Sequence, residues 1–139
     1  MFDNDDPNQR QDLIRALKSI GLNAWEFNSG GGIMHVVVPL LDRICDPPVV
    51  QAQDPEIRSY LENGIKVWPH ETCLYIATNS LRTTCEVGLM GNDGRTGNQV
   101  TSAEWEHVDS LGEVVSVFQR YWRERDTWLR KLISGELAV

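Results

Sequence analysis

Histidine, cysteine and glutamate are the residues of this sequence that could bind a metal or act in catalysis, and their spacing decides which of these is possible. His70 and Cys73 form a single H-x-x-C pair, and neutral imidazole and thiolate are the usual ligands of zinc. The other candidate ligands, Cys45, Cys85 and His35, are scattered singly along the chain. Since a structural zinc site groups its ligands at short spacing, buried cysteines and a loop histidine explain the pattern better, and we expect no metal.

Nucleophilic catalysis would need a thiol beside an imidazole, with a carboxylate to orient the imidazole. The candidates are Cys73 and Cys85 for the thiol, His35 and His107 for the base, and Glu26 and Glu86 for the acid. A chain with three cysteines, three histidines and 20 acidic residues offers such combinations by chance, and it contains no recognised catalytic motif. We therefore assign no catalytic residue and expect binding rather than catalysis.

Two glycine-rich stretches could bring backbone N–H groups together around a phosphate. The first, residues 30–32, is not followed by a predicted helix. The second, the G-x-x-G-x-x-G run of Gly91, Gly94 and Gly97, lacks the Gly-Lys-Ser/Thr ending of a phosphate-binding loop. Both stretches are typical of turns, and we expect no cofactor.

Five tryptophans are many for a chain of 139 residues. With the tyrosines they could line a pocket for an apolar or cationic ligand, with Glu26 or Glu86 as the counter-charge, although core packing is the alternative for each ring. Trp68 lies beside Pro69 in an irregular stretch, and Trp128 lies at the edge of a helical apolar arc. These two rings are therefore the better candidates for a surface that meets a ligand or a partner.

The stretch from Ser110 to Ser134 predicts one long amphipathic helix, because its apolar residues fall in one arc at about 100° per residue. Ser110 and Glu113 form a capping box at its start, and Gly135 is a stop signal at its end. One buried face and one exposed face are expected.

Arg125 is the anomaly of this helix, since it lies near the middle of the apolar arc with no acidic residue one turn away on either side. An isolated buried charge is very costly, so the guanidinium needs a partner from another element. We expect it to meet Glu26 or Glu86 from the sheet, or to stack on a tryptophan.

The preceding chain predicts one helix and two hairpins. Asp6 and Pro7 are the N-cap and first residue of a short amphipathic helix that Gly21 closes. Alternating apolar residues around a glycine turn predict a hairpin over residues 22–40, and a second hairpin is predicted over residues 72–90.

Residues 41–71 break this pattern with several Pro and Asn-Gly signals, and they predict an irregular insert with a turn or two of helix over residues 56–61. The order is therefore α-β-β-insert-β-β-loop-α in a single α+β domain over residues 1–139. The simplest packing is a four-stranded antiparallel sheet with the N-terminal helix and the long C-terminal helix on one face. The other face would be free for the insert, a second subunit or a ligand.

Charge and composition restrict the class of function. The formal net charge is -7, and no cluster of Lys and Arg could neutralise phosphates, so direct nucleic-acid binding is disfavoured. No apolar run approaches the roughly 20 residues of a membrane span, and the acidic start is unlike a signal peptide. Three scattered cysteines fit reduced thiols. We expect a cytoplasmic protein without membrane contact.

These observations predict a small binding or regulatory domain that acts through protein contacts, as a homodimer. The alternative is a small-molecule binding domain with an aromatic pocket for an apolar or cationic ligand, and an enzyme that uses Cys, His and Glu is the least favoured class. The candidate binding residues are Trp25, Glu26, His35, Trp68, Glu86, Arg125 and Trp128.

Overall fold

The computed structural model describes residues 1–64, 68–82 and 84–137. Four helices and seven strands occur within these ranges and confirm the α+β class. In chain order the elements are α1 (Pro7–Ser19), β1 (Trp25–Asn28), β2 (Met34–Asp42), β3 (Val49–Val50), α2 (Pro55–Gly64), β4 (Cys73–Leu81), β5 (Thr84–Asp93), β6 (Asn98–Thr101), β7 (Glu106–Val108), α3 (Leu111–Arg123) and α4 (Arg125–Ser134).

The strands form one antiparallel sheet whose centre is β2, β4 and β5. Each edge is made of two short strands, with β1 and β3 both paired to β2, and β6 and β7 both paired to β5. The prediction of four strands was too small because β3, β6 and β7 have only two, four and three residues. A period-two pattern cannot be recognised over so few positions.

The helices pack on one face of the sheet, and the described residues contain four of them, because α2 lies in the predicted insert and the predicted C-terminal helix is two helices. Val36 and Val38 alternate with Val37 along β2, so that the first two join the helices in the main core and the third points to the opposite face. No helix in the described part of the chain is long and apolar enough to cross a membrane.

The predicted single C-terminal helix is divided at Glu124 into α3 and α4. Nη1 of Arg125 donates to the carbonyl oxygen of Trp122 at 2.7 Å, an acceptor that serves the N–H of residue 126 in a continuous helix. The prediction of one uninterrupted helix was therefore wrong at this point. A side chain competes here for a backbone acceptor, and hydrophobic periodicity does not detect such competition.

Residues 41–71 are more regular than predicted, since they contain β3 and α2, although residues 65–67 lie outside the described part of the chain. The carboxylate of Asp126 in α4 accepts two consecutive backbone N–H groups immediately before α2, at 2.7 and 2.9 Å. Ile57 and Leu61 of α2 are buried in the main core. The expected helix over residues 56–61 is confirmed, and the segment contributes to the core.

Candidate functional site

The sheet face away from the helices carries a second apolar cluster. Its members come from strand positions that alternate with the positions under the helices, and from the segment between β6 and β7. We call this surface the open face and define it by Trp25, Phe27, Val37, Cys73, Tyr75, Ala77, Met90 and Trp105. Val37 and Ala77 are fully buried within it. The partly buried members are Trp25, Phe27, Met90 and Trp105.

Tyr75 anchors the aromatic group at the β1 edge of the open face. Its ring lies 6.4 Å from that of Trp25 at an interplanar angle of 80°, and 5.6 Å from that of Phe27. Its hydroxyl donates to Oδ2 of Asp42 at 2.9 Å, and burial raises the pKa of Tyr75, so the phenol stays neutral and acts as a donor. The ring is therefore held in place by its hydroxyl, while its two aromatic neighbours are only partly buried.

Trp105 covers the other side of the open face. Its Nε1 donates to Oγ1 of Thr101 at 2.9 Å, which fixes the direction of the indole. A Cβ atom added to Gly88 would lie 2.6 Å from Cδ2 of this ring, so the indole rests directly on the glycine. Glycine is needed at this position because of the close approach of the ring.

The polar groups at strand positions of the open face lie around its apolar members and contact neighbouring polar groups. His107 Nε2 lies 3.8 Å from a carboxylate oxygen of Glu86. His35 is buried, and its Nδ1 lies 2.6 Å from the carbonyl oxygen of Thr78. The Asp42 carboxylate accepts from the Tyr75 hydroxyl, and the eight residues that define the centre of the open face are themselves uncharged.

The thiols are not arranged for nucleophilic catalysis. Burial raises the pKa of Cys73, and it raises the pKa of Cys85 to about 12. The pKa of Cys45 is also raised, by burial and by the contact of its thiol with Asp42. A raised pKa suppresses the thiolate, which is the reactive form. Within the described ranges, no three His, Cys, Asp or Glu side chains come together as a metal site requires.

The seven candidate residues do not form one site. Trp25, His35 and Glu86 lie at strand positions of the open face. Glu26 points to the helical face instead, where its carboxylate lies 3.1 Å from Nε of Arg10 in α1.

Arg125 has the partner that the tryptophan alternative predicted, because its Cζ lies 4.5 Å from the ring centre of Trp122. The expectation that Glu26 or Glu86 would pair with it is wrong, since those carboxylates meet Arg10 and His107. Burial lowers the pKa of Arg125, because a poorly hydrated position disfavours the charged guanidinium.

Trp68, expected at the surface, is only 7% exposed. Its ring packs edge-on against Tyr60, and Cζ of Arg95 lies 4.4 Å from its centre. Arg95 also pairs with Asp93 and donates to the carbonyl oxygen of Leu132 at 2.9 Å, so this group connects α2, β5 and α4. In the described structure Trp68 therefore packs between these elements.

Trp128 is half-buried and lines a cleft between the α3–α4 junction and the segment that connects β6 to β7. Its ring packs against Tyr121 with centroids 5.3 Å apart. This cleft has a volume of about 720 Å³, and the edge of Trp68 borders a second, more open one of about 560 Å³ beside Tyr60.

Seven of the eight residues that define the open face were not among the candidate binding residues, and the largest of them are Phe27, Tyr75, Met90 and Trp105. The signal for two of them was present, because Trp25 and Phe27 alternate along one strand, and Cys73, Tyr75 and Ala77 alternate along another. Only the pairing of strands far apart in sequence brings these residues together.

No protein-family model, curated protein or solved structure matches this chain.

Proposed function

We propose that the protein is a small binding domain that associates with a second copy of itself through the open face. The observation that carries this proposal is the grouping of partly exposed Trp25, Phe27, Met90 and Trp105 around a buried centre on the helix-free face. Contiguous large apolar side chains at a surface are typical of interaction sites. Trp and Tyr are also the residues that most often supply binding energy in such sites.

A second copy is the occupant that the charge distribution favours. The chain carries a net charge of -7, so two copies repel each other over most of their surfaces. The open face is an exception, because the eight residues that define it carry no charged side chain. An apolar group of side chains can pack against the same group of a second copy, as a twofold interface requires.

We also propose that the protein works by binding and is located in the cytoplasm. Its three cysteines are free, which suits a reducing compartment. The raised pKa of each thiol supports binding rather than cysteine chemistry.

Two matched variants test the open face. Met90→Lys places a charge among the partly buried residues of the face, whereas Ile20→Lys makes the same change at an exposed position after α1. We expect Met90→Lys to raise the dimer dissociation constant at least tenfold, which is about 1.4 kcal/mol, and Ile20→Lys to leave it unchanged. Sedimentation velocity gives the constants, and circular dichroism checks that both variants fold.

Equal effects of the two substitutions would assign any self-association to another surface. A monomer that binds a different protein through Met90 and Trp105 would instead show that the open face serves a heterologous partner.

A further inference from the structure

The cleft beside Trp128 is separate from the open face, since none of the residues that define that face line it. Its volume is about 720 Å³. Pockets for small molecules have volumes of about 300 to 1,000 Å³, so the cleft has the size for such a ligand. We call it the acidic cleft, and the side chains that give it its character are Glu104, Glu106, Glu124, Glu136, Tyr121 and Trp128, with Arg120 and Lys131 as the basic members.

Negative charge exceeds positive charge in the acidic cleft, with four glutamates against two bases. Arg120 is paired with Glu106. The other three glutamates form no salt bridge within the described residues, which leaves carboxylates available at the rim. A cation entering the cleft would therefore be attracted.

Both aromatic rings of the acidic cleft already face a cation from the same chain. Nζ of Lys131 lies 5.0 Å from the ring centre of Trp128, and Cζ of Arg120 lies 5.5 Å from that of Tyr121. These distances lie within the reach of about 6 Å for a favourable cation–π contact. The rings thus present faces that accept an ammonium group, and Lys131 shows where such a group can sit.

The spacing of the acids argues for an extended cation. Among the residues that the structure describes, no three acidic, His or Cys side chains converge as a bound metal ion requires. The glutamates belong instead to separate segments around the cleft, namely the β6–β7 connection, the α3–α4 junction and the stretch after α4. Carboxylates spread around two aromatic rings match a chain of methylene groups with amino groups at intervals.

We propose that the acidic cleft binds a linear aliphatic polyamine with three or more amino groups. Its ammonium groups pair with Glu104, Glu124 and Glu136, and its methylene chain lies against Trp128 and Tyr121. Binding of the first ammonium at the Trp128 ring competes with Lys131.

Calorimetric titration with spermidine tests the charge part of this proposal. The double variant Glu104→Gln, Glu136→Gln removes two carboxylates from the cleft, and Glu62→Gln, Glu71→Gln removes two exposed carboxylates elsewhere. We expect the first to weaken binding at least tenfold, or about 1.4 kcal/mol, and the second less than threefold. Equal weakening in both, or no heat of binding by wild-type protein at about 1 mM spermidine, overturns the proposal.

A substitution of Lys131 tests the aromatic part. Lys131→Met frees the Trp128 ring, and Lys18→Met removes the same charge from the exposed side of α1. We expect spermidine to bind several-fold more tightly to Lys131→Met than to Lys18→Met. The same affinity in both variants, or weaker binding by Lys131→Met, would show that the ring is not part of the site.

Magnesium chloride is the probe that separates a polyamine site from general attraction to acidic residues. A divalent metal ion cannot use the aromatic rings through methylene groups, so we expect it to bind at least tenfold more weakly than spermidine. Equal affinity for the two cations would contradict the proposal.

Discussion

Trp25 packs edge-on against Tyr75 on the helix-free face of the sheet, with ring centroids 6.4 Å apart and an interplanar angle of 80°. Tyr75 is 4% exposed and bonded to Asp42, whereas Trp25 is only half-buried. One ring is thus part of a fixed base, and the other presents apolar area to whatever covers the face. This difference in exposure between touching rings is what one expects at an interface that is open in the monomer.

Gly88→Ala should displace Trp105 from the open face. The new Cβ would lie 2.6 Å from Cδ2 of the indole and 2.8 Å from Oγ of Ser102, so the ring must move. We expect the indole N–H resonance of Trp105 to shift in an NMR spectrum as its bond to Thr101 is lost, and self-association to weaken. Gly31→Ala, where a Cβ meets nothing within 4 Å, is the control. An unchanged Trp105 resonance would contradict the placement of the ring.

The pair of Asp93 and Arg95 should make stability depend on acid pH. Hydrogen bonds from Arg95 hold the pKa of Asp93 below its ordinary value. A lowered folded-state pKa contributes stability that is present above the unfolded pKa, about 3.9, and is lost as the pH falls through the folded value.

We therefore expect the stability difference between wild type and Arg95→Met to shrink as the pH is lowered from about 7 to about 3 in urea unfolding experiments. The contact of Arg95 with Trp68 does not change with pH, so only the ion pair contributes to this trend. Arg15→Met, which breaks an exposed pair with Asp12, should show almost none of it. If the stability difference between wild type and Arg95→Met stays the same at every pH, the ion pair of Asp93 and Arg95 does not contribute to the acid sensitivity of folding.

The thiols should react slowly in the folded protein. Burial raises the pKa of Cys73 and that of Cys85, and Cys85 is only 1% exposed. At about pH 8, alkylation by iodoacetamide should be much slower than in urea, with Cys85 the slowest, because the thiolate is the reacting form. Mass spectrometry of the intact protein and its peptides gives each rate. Rapid labelling of Cys73 in the folded state would restore the hypothesis of a cysteine nucleophile.

Asp126→Ala should loosen the start of α2. The Asp126 carboxylate accepts the backbone N–H groups of Gln53 and Asp54, which the substitution leaves without their partner. We expect a loss of about 1 to 3 kcal/mol of unfolding free energy and faster hydrogen exchange at these two amides. The exposed Asp12→Ala should change neither. Unchanged exchange at Gln53 and Asp54 would mean that α2 is held by its apolar face alone.

The elements that sequence predicted well are those whose signals are local. Ser110 accepts from the N–H of Glu113 at 3.2 Å, and Asp6 accepts from the N–H of Asn8 at 2.9 Å, as the capping patterns indicated. The two long hairpins followed from alternation and turn residues. The short strands β3, β6 and β7 could not be predicted in this way, because pairing with the long strands defines them.

The candidate site was predicted only in part, for a similar reason. The need of Arg125 for a partner was evident from its place in the apolar arc, but its bond to the Trp122 carbonyl, and the break in the helix there, depend on side-chain geometry. Trp68 was placed at the surface because Pro69 follows it, whereas Arg95 and Tyr60 cover it from segments that the local pattern does not connect.

Sedimentation equilibrium of the wild-type protein over a range of concentrations tests the central claim most directly. If two copies associate through the open face, the measured mass should rise with concentration from 15.8 kDa towards twice that value. The range should extend from about 1 μM to about 1 mM, which corresponds to association free energies of about -8 to -4 kcal/mol. A mass that stays at 15.8 kDa throughout this range would contradict self-association through the open face.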